Sequence, residues 1–368
     1  RLRNQLDKPI DVTVAAKDGS RISVRVGPEN AEQLRLGYVG FNRTMDKIFI
    51  YVDRLADRPL TVAGLFLDGR ELTAACRIIN GAFEANRPAL IEVTLPAPLV
   101  YGAYHGLKVV TKEGPVALHQ VRVRDDKFLI GIIGGNRPAY YAKFFNTTYQ
   151  LHGSFPETPG WWNPDSEAAK LDFTMICPAP SEKAARAGAT VPPGKILYTN
   201  VDEPDAREPG HLPYMDRSGI NIMHVVEPVM RMQRKLDPVH PTALMMDRTY
   251  APLNWLNYGE VADEPFNDIY VPTQFHGFKM EAFPVTLAAL LSAVAPRPIH
   301  IMLWSCWNTG HAVRRAPTPD ENDLSVHYVL GGGAKGLHYF LDWNSYPMVL
   351  EGGYFIGAPR ATALWKAM

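Results

Sequence analysis

Cysteine is scarce. The chain has 368 residues and three cysteines, Cys76, Cys177 and Cys306, far apart and set in apolar stretches. That is no disulfide framework and no zinc-ligand spacing, so buried free thiols are the expected state. Net charge is missing too, with Lys+Arg 38 against Asp+Glu 38. Composition therefore forces no basic face, and nucleic acid is not an expected partner. No apolar run reaches the roughly 20 residues of a spanning helix. The longest, residues 283–294, suits a helix in a soluble domain. Solenoid-length repeats and low-complexity tracts are also lacking. The histidines at 211, 224, 240, 276, 300, 311, 327 and 338 show no close metal-ligand spacing with a carboxylate, so no metal site is expected. Gly331-Gly332-Gly333 lies between a helical and a strand-like stretch and reads as a helix stop, so no nucleotide or other cofactor is expected. The sequence starts at Arg1 without Met and shows no signal peptide, which favours a processed, secreted or periplasmic chain.

What is present suits two domains. Residues 1–124 are a succession of short alternating runs (10–14, 22–26, 47–52, 60–66, 89–95, 107–110), separated by turn signals such as Asp68-Gly69 and Glu113-Gly114. No helical period is sustained there, and a β-sandwich is expected. Residues 125–368 read differently. Apolar strand-like runs alternate with helix-like segments, as in a parallel sheet. Eight strands are expected, at 128–133, 149–153, 173–177, 196–201, 243–247, 268–273, 299–304 and 336–342. Helices are expected at 138–146, 181–187, 222–236, 255–261, 284–294, 321–330 and from 361 onward. Eight alternations over this length make a (β/α)8 TIM barrel.

The stretch KILYTNVDEPD, residues 195–205, focuses the functional reading. An apolar strand runs into two adjacent acids, Asp202 and Glu203, before Pro204 stops it. Acids at the C-terminal end of a barrel strand are placed for catalysis. The same triplet recurs as Asp263-Glu264-Pro265, but there it precedes the expected sixth strand. That puts it at the opposite end of the barrel, where a solvated loop is expected. Other strand ends bring Asn136, His152, Asn200, Asp247, Tyr270, Trp304, Trp307, Asn308, Asp342, Trp343 and Asn344 to the same rim as Glu203. Carboxylates, amides and tryptophans together suit a polyhydroxylated ligand, because aromatic faces cover sugar C–H faces and amides satisfy hydroxyls. A glycan is therefore the expected partner. Taken singly, each of these residues is more often structural.

The seventh expected strand ends in Trp304-Ser305-Cys306-Trp307, without a carboxylate. An ordinary pair of acids across a scissile bond is thus not evident. Adjacent acids on strand four fit a different route, in which the 2-acetamido oxygen of the sugar is the nucleophile. The motifs ILYTNVDEPD, Asp268-Ile269-Tyr270, IMLWSCWN and PTPDENDLSVHYVLGGGAKGLHYFLDWN resemble glycoside hydrolase family 123. The resemblance implies a sandwich before a barrel and an exo-acting, retaining β-N-acetylgalactosaminidase-like activity. It implies Glu203 as general acid/base and Asp202 as the residue orienting the acetamido group. It also implies Tyr270 bonding the acetamido oxygen, with Trp304 and Trp307 walling the sugar. Two other readings stay open. One is a two-carboxylate glycosidase pairing Glu203 with Asp247 or Asp342, and the other a barrel that binds glycan without cleaving it.

Overall fold

The computed structural model describes residues 10–15, 21–26, 33–55, 58–79, 89–124, 127–133, 147–149, 174–178, 186, 195–198, 202–207, 222–247, 252–270, 280–304, 306–308, 317–340 and 349–352, in several strands by the backbone alone. The chain forms two compact units. The first comprises Arg1–Gly37, Lys47–Leu95 and His105–Gln120. The second comprises Tyr38–Asp46, Pro96–Tyr104 and Val121–Met368.

Every N-terminal strand pair with a described register is antiparallel. β1 (Ile10–Ala15) and β2 (Arg21–Val26) form a hairpin. Then follow β3 (Leu34–Phe41), β4 (Lys47–Arg54), β5 (Val62–Leu67), β6 (Arg70–Glu71), β7 (Cys76–Ile78), β8 (Ala89–Thr94), β9 (Tyr104–Thr111) and β10 (Val116–Arg122). They make two four-stranded sheets, β3-β4-β8-β7 and β10-β9-β5-β6. In β4 and β8 every second residue is buried (Ile48, Ile50 and Val52; Ile91 and Val93), and Leu107 and Val109 do the same in β9. One dry face per sheet is what a β-sandwich requires.

Eight parallel strands close the barrel. They are β11 (Leu129–Ile133), β12 (Thr147–Tyr149), β13 (Thr174–Pro178), β14 (Lys195–Tyr198), β15 (Thr242–Asp247), β16 (Glu264–Asp268), β17 (His300–Trp304) and β19 (Gly336–Phe340), with β19 pairing back onto β11. A short antiparallel pair, β18 (Cys306–Asn308) with β20 (Val349–Gly352), lies outside the ring. Five of the six residues of β15 and every residue of β16 and β17 are buried. Strands covered on both faces lose alternation and read as continuous apolar runs, which is why they stand out in the sequence.

Four α-helices are described: α1 (Glu227–Leu236), α2 (Pro252–Gly259), α3 (Ala282–Val294) and α4 (Pro319–Gly332). A π-helical turn, Ile222–Val226, leads into α1. α4 starts as its sequence dictates. The Thr318 side chain accepts from the Glu321 N–H, Glu321 reaches back to the Thr318 N–H, and Pro319 occupies the first turn. Gly333 ends it in the left-handed region at φ +89°. Val226, Met230, Phe283, Leu287, Leu290 and Val329 from the helices pack on Leu244, Met246, Ile301, Leu303 and Leu337 from the strands. The helices expected at 138–146 and from 361 onward, and all but residue 186 of the one at 181–187, lie outside the described residues.

The sixth strand corrects the sequence reading. It runs over Glu264–Asp268 rather than 268–273. Asp263 and Glu264 do sit at its N-terminal end, but they are buried rather than solvated. Within the second unit Asp263 accepts from Arg122 (2.6 Å), the Tyr104 hydroxyl (2.6 Å) and the N–H and Oγ1 of Thr242 (3.0 and 2.9 Å). Burial alone would raise its pKa. Arg122, Arg234 and these hydrogen bonds outweigh it and hold the carboxyl below its ordinary range. Glu264 meets His300 Nε2 at 2.8 Å, and His300 Nδ1 lies 3.3 Å from His338 Nε2. Asp263 and Glu264 are thus paired into structure.

Candidate active site

At the other end, β14 stops at Tyr198 and its acids follow in a tight turn. Pro204–Arg207 makes one turn of 3-10 helix, opened by the Ala206 N–H donating to the Glu203 carbonyl at 3.1 Å. Glu203 precedes that turn at φ +44°, the left-handed region that residues with a Cβ seldom occupy. Such a conformation costs on the order of 1–3 kcal/mol and tends to mark functional positions. Asp202 and Glu203 are both half-buried.

Asp205 is buried, and its Oδ1 accepts the N–H of Asp247, the last residue of β15, at 2.9 Å. The Asp247 carbonyl accepts from Trp255 Nε1 (3.0 Å) and from Asn267 Nδ2 (3.1 Å), one residue before the end of β16. These side-chain bonds tie the C-terminal ends of β14, β15 and β16 to one another.

The tie brings acids together. Carboxylate oxygens of Glu203, Asp247 and Asp268 all lie within 4.8 Å of one another. Asp268 ends β16 directly beside Asp247 and is 1 % exposed. Among the described residues its Oδ1 is buried without a hydrogen-bond partner. Acid oxygens this close cannot all stay ionised without a proton or a cation between them. Burial first, then the nearby Glu203 carboxyl, then the charges of Asp247 and Asp202, push the Asp268 pKa well above the carboxylate range. The surroundings of Asp268 thus favour its protonated form.

Aromatic rings lie at the ends of the next strands. Tyr270 meets Trp304 edge-on at 5.1 Å, and Trp304 stacks on Phe340 at 5.3 Å. The Tyr270 hydroxyl points to Met302 Sδ at 3.6 Å. Both Tyr270 and Trp304 are buried.

Of the residues singled out in the sequence, Asp202, Glu203 and Asp247 come together at this rim, and Tyr270 and Trp304 share the aromatic cluster. Trp307 and Asn308 lie in β18, with their side chains outside the described residues, as are Asn136, His152, Asn200, Asp342, Trp343 and Asn344 altogether. Sequence reasoning missed Asp268 and Asp205. Asp205 stood in the KILYTNVDEPD stretch. Asp268 was read as the first residue of a strand that it in fact ends.

The sequence matches no protein-family model and no curated protein. Among solved structures the chain is similar to a β-D-glucuronidase from Dictyoglomus thermophilum, at 9 % identity and TM-score 0.42 over 98 % of this chain and 75 % of that one. It is similar to a GH2 β-galacturonidase from Eisenbergiella tayi bound to galacturonate, at 11 % identity and TM-score 0.43 over 94 % and 73 %. It is also similar to Bacteroides uniformis β-glucuronidase 2, covalently bound to cyclophellitol-6-carboxylate aziridine, at 10 % identity and TM-score 0.44 over 88 % and 50 %. Similarity this distant leaves function to be read from the residues.

Proposed function

We propose that the chain is an exo-acting glycoside hydrolase that retains configuration and uses the 2-acetamido group of its substrate, with Glu203 as general acid/base and Asp202 as the acetamido-orienting residue. The observation that carries this reading is the adjacent acid pair following β14, crowded by Asp247 and Asp268 into one acidic rim. In the first step Glu203 delivers a proton to the leaving oxygen, which keeps the electron pair of the broken C–O bond. The acetamido oxygen closes on the anomeric carbon, and Asp202 steadies the positive charge that grows on the acetamido nitrogen. Water then opens the ring at the anomeric carbon and returns a proton to Glu203. The motif resemblance to family 123 supports a β-N-acetylgalactosaminide as substrate.

One observation favours a second reading. Asp247 and Glu203 oxygens approach within 4.8 Å, near the roughly 5–5.5 Å carboxyl separation of retaining two-carboxylate enzymes. Asp247 would then attack the anomeric carbon of a sugar lacking the acetamido group.

A panel of aryl β-glycosides separates the two. Substrate assistance predicts turnover of the 2-acetamido sugars, none of the 2-hydroxy analogues, and inhibition by a thiazoline mimic of the cyclic intermediate. Equal turnover of both sugar types would transfer the nucleophile's role to Asp247, and Asp247→Asn would then abolish activity. Glu203→Gln should lower kcat about 10²–10⁴-fold on poor leaving groups under either reading.

A further inference from the structure

We infer that Asp268 is a positioning residue that shares one proton with Glu203, so that the two carboxyls act as a single acid at the barrel rim. The inference deepens the proposed role of Glu203 and rests on it only for the activity measurement below.

Geometry leads to it. Asp268 is fixed by the end of β16, beside Asp247, and is closed off from water. A carboxyl oxygen of Asp268 lies within 4.8 Å of one on Glu203, and both groups would be acceptors if both were ionised, so a proton held between them relieves the repulsion. Among the described residues Oδ1 is buried without a donor, so no described group offsets the cost of ionising Asp268. Asp247 and Asp202 add like charge around the pair. Asp268 therefore keeps its proton, beside Glu203, under conditions in which an isolated carboxyl is ionised. In the resting site the Asp268 hydroxyl donates to the Glu203 carboxylate. As the leaving oxygen departs, that proton crosses to Glu203 and on to the leaving group, and Asp268 is left ionised until water restores the proton through Glu203. No oxidant, reductant or metal enters the balance.

The consequence for stability has a definite sign. Asp268 binds its proton more tightly folded than unfolded, so the native state holds more protons over the window from the unfolded value, about 3.9, up to the raised one. Native stability is whole below that window and falls as pH rises through it. Asp268→Asn, which keeps the shape and cannot ionise, removes the loss.

Thermal melts of the wild type, Asp268→Asn, Glu203→Gln and the double variant across pH 4–8 test this without any substrate. Asp268→Asn should match the wild type near pH 4 and melt at least about 2–4 °C higher at pH 8. Glu203→Gln should give a similar gain, and the double variant little more than either, because both relieve one repulsion. Where the wild type turns over an aryl glycoside, Asp268→Asn should move the alkaline limb of kcat/KM toward acid by about one pH unit or more, with rate recovered at low pH. A gain in Tm independent of pH, additive gains in the double variant, an unmoved alkaline limb, or a wild-type Tm raised by millimolar calcium or magnesium would each overturn the shared proton. Absence of turnover by the wild type, with the melts as expected, would instead overturn the glycosidase reading.

Discussion

At the scale of single residues, the two Asp-Glu-Pro triplets separate by what surrounds their acids. Asp263 is held by Arg122, Tyr104 and Thr242, every partner a donor. Asp268 faces acceptors. The same side chain is driven below its ordinary pKa in the first setting and above it in the second. Asp263→Ala leaves Arg122 charged, buried and short of a partner. It should cost about 3–5 kcal/mol, read as a lower midpoint in urea unfolding. Because the folded Asp263 pKa is depressed, its stabilisation is complete above the unfolded value of about 3.9 and is lost as pH falls through the folded one. The penalty of Asp263→Ala should accordingly shrink in strong acid.

At the scale of elements, barrel strands were legible because burial on both faces writes them as apolar runs; β15 and β17 fall within a residue of where the pattern puts them. β16 was not. It carries Pro265 as its second residue and acids at both ends, EPFND, none of which marks a strand. Proline is tolerated there because it lies near the strand start, ahead of the first pair with β17 at Phe266 and His300. Misplacing β16 turned its last residue into its first, which hid Asp268. Asp205 was hidden for a different reason: its partner is a backbone N–H 42 residues away. Gly336, the first residue of β19, has its own consequence. A Cβ there would lie 2.0 Å from His300 Nδ1, on a ring fixed by Glu264 and stacked on Phe266 at 4.5 Å. Gly336→Ala should cost about 1–3 kcal/mol of stability, and His300→Ala should recover much of it in a double-mutant cycle of melting midpoints.

At the scale of the whole molecule, the sandwich-then-barrel order was readable from the change of pattern near residue 125. The grouping of Tyr38–Asp46 and Pro96–Tyr104 with the second unit was not, since it is made by contacts distant in sequence. Among the described residues, two buried groups contribute to the titration in opposite directions. His338 is fully buried, and burial, with the charge of His300 adding to it, holds its pKa well below normal. It stays neutral when folded and takes a proton when unfolded below about pH 6.5, so stability falls as pH drops. Asp268 acts in the other direction. His338→Gln should therefore flatten the acid side of the stability curve, removing a slope of up to about 1.4 kcal/mol per pH unit between pH 6.5 and 5, as measured by urea midpoints.

The buried end of β16 also bears on how this chain would respond to engineering. A library screened for survival in heat or alkali would enrich replacements of Asp268, each sturdier than the parent. Under the proposed mechanism the winners would have given up the proton shared with Glu203, so durability selected blind to catalysis would narrow the pH range of turnover.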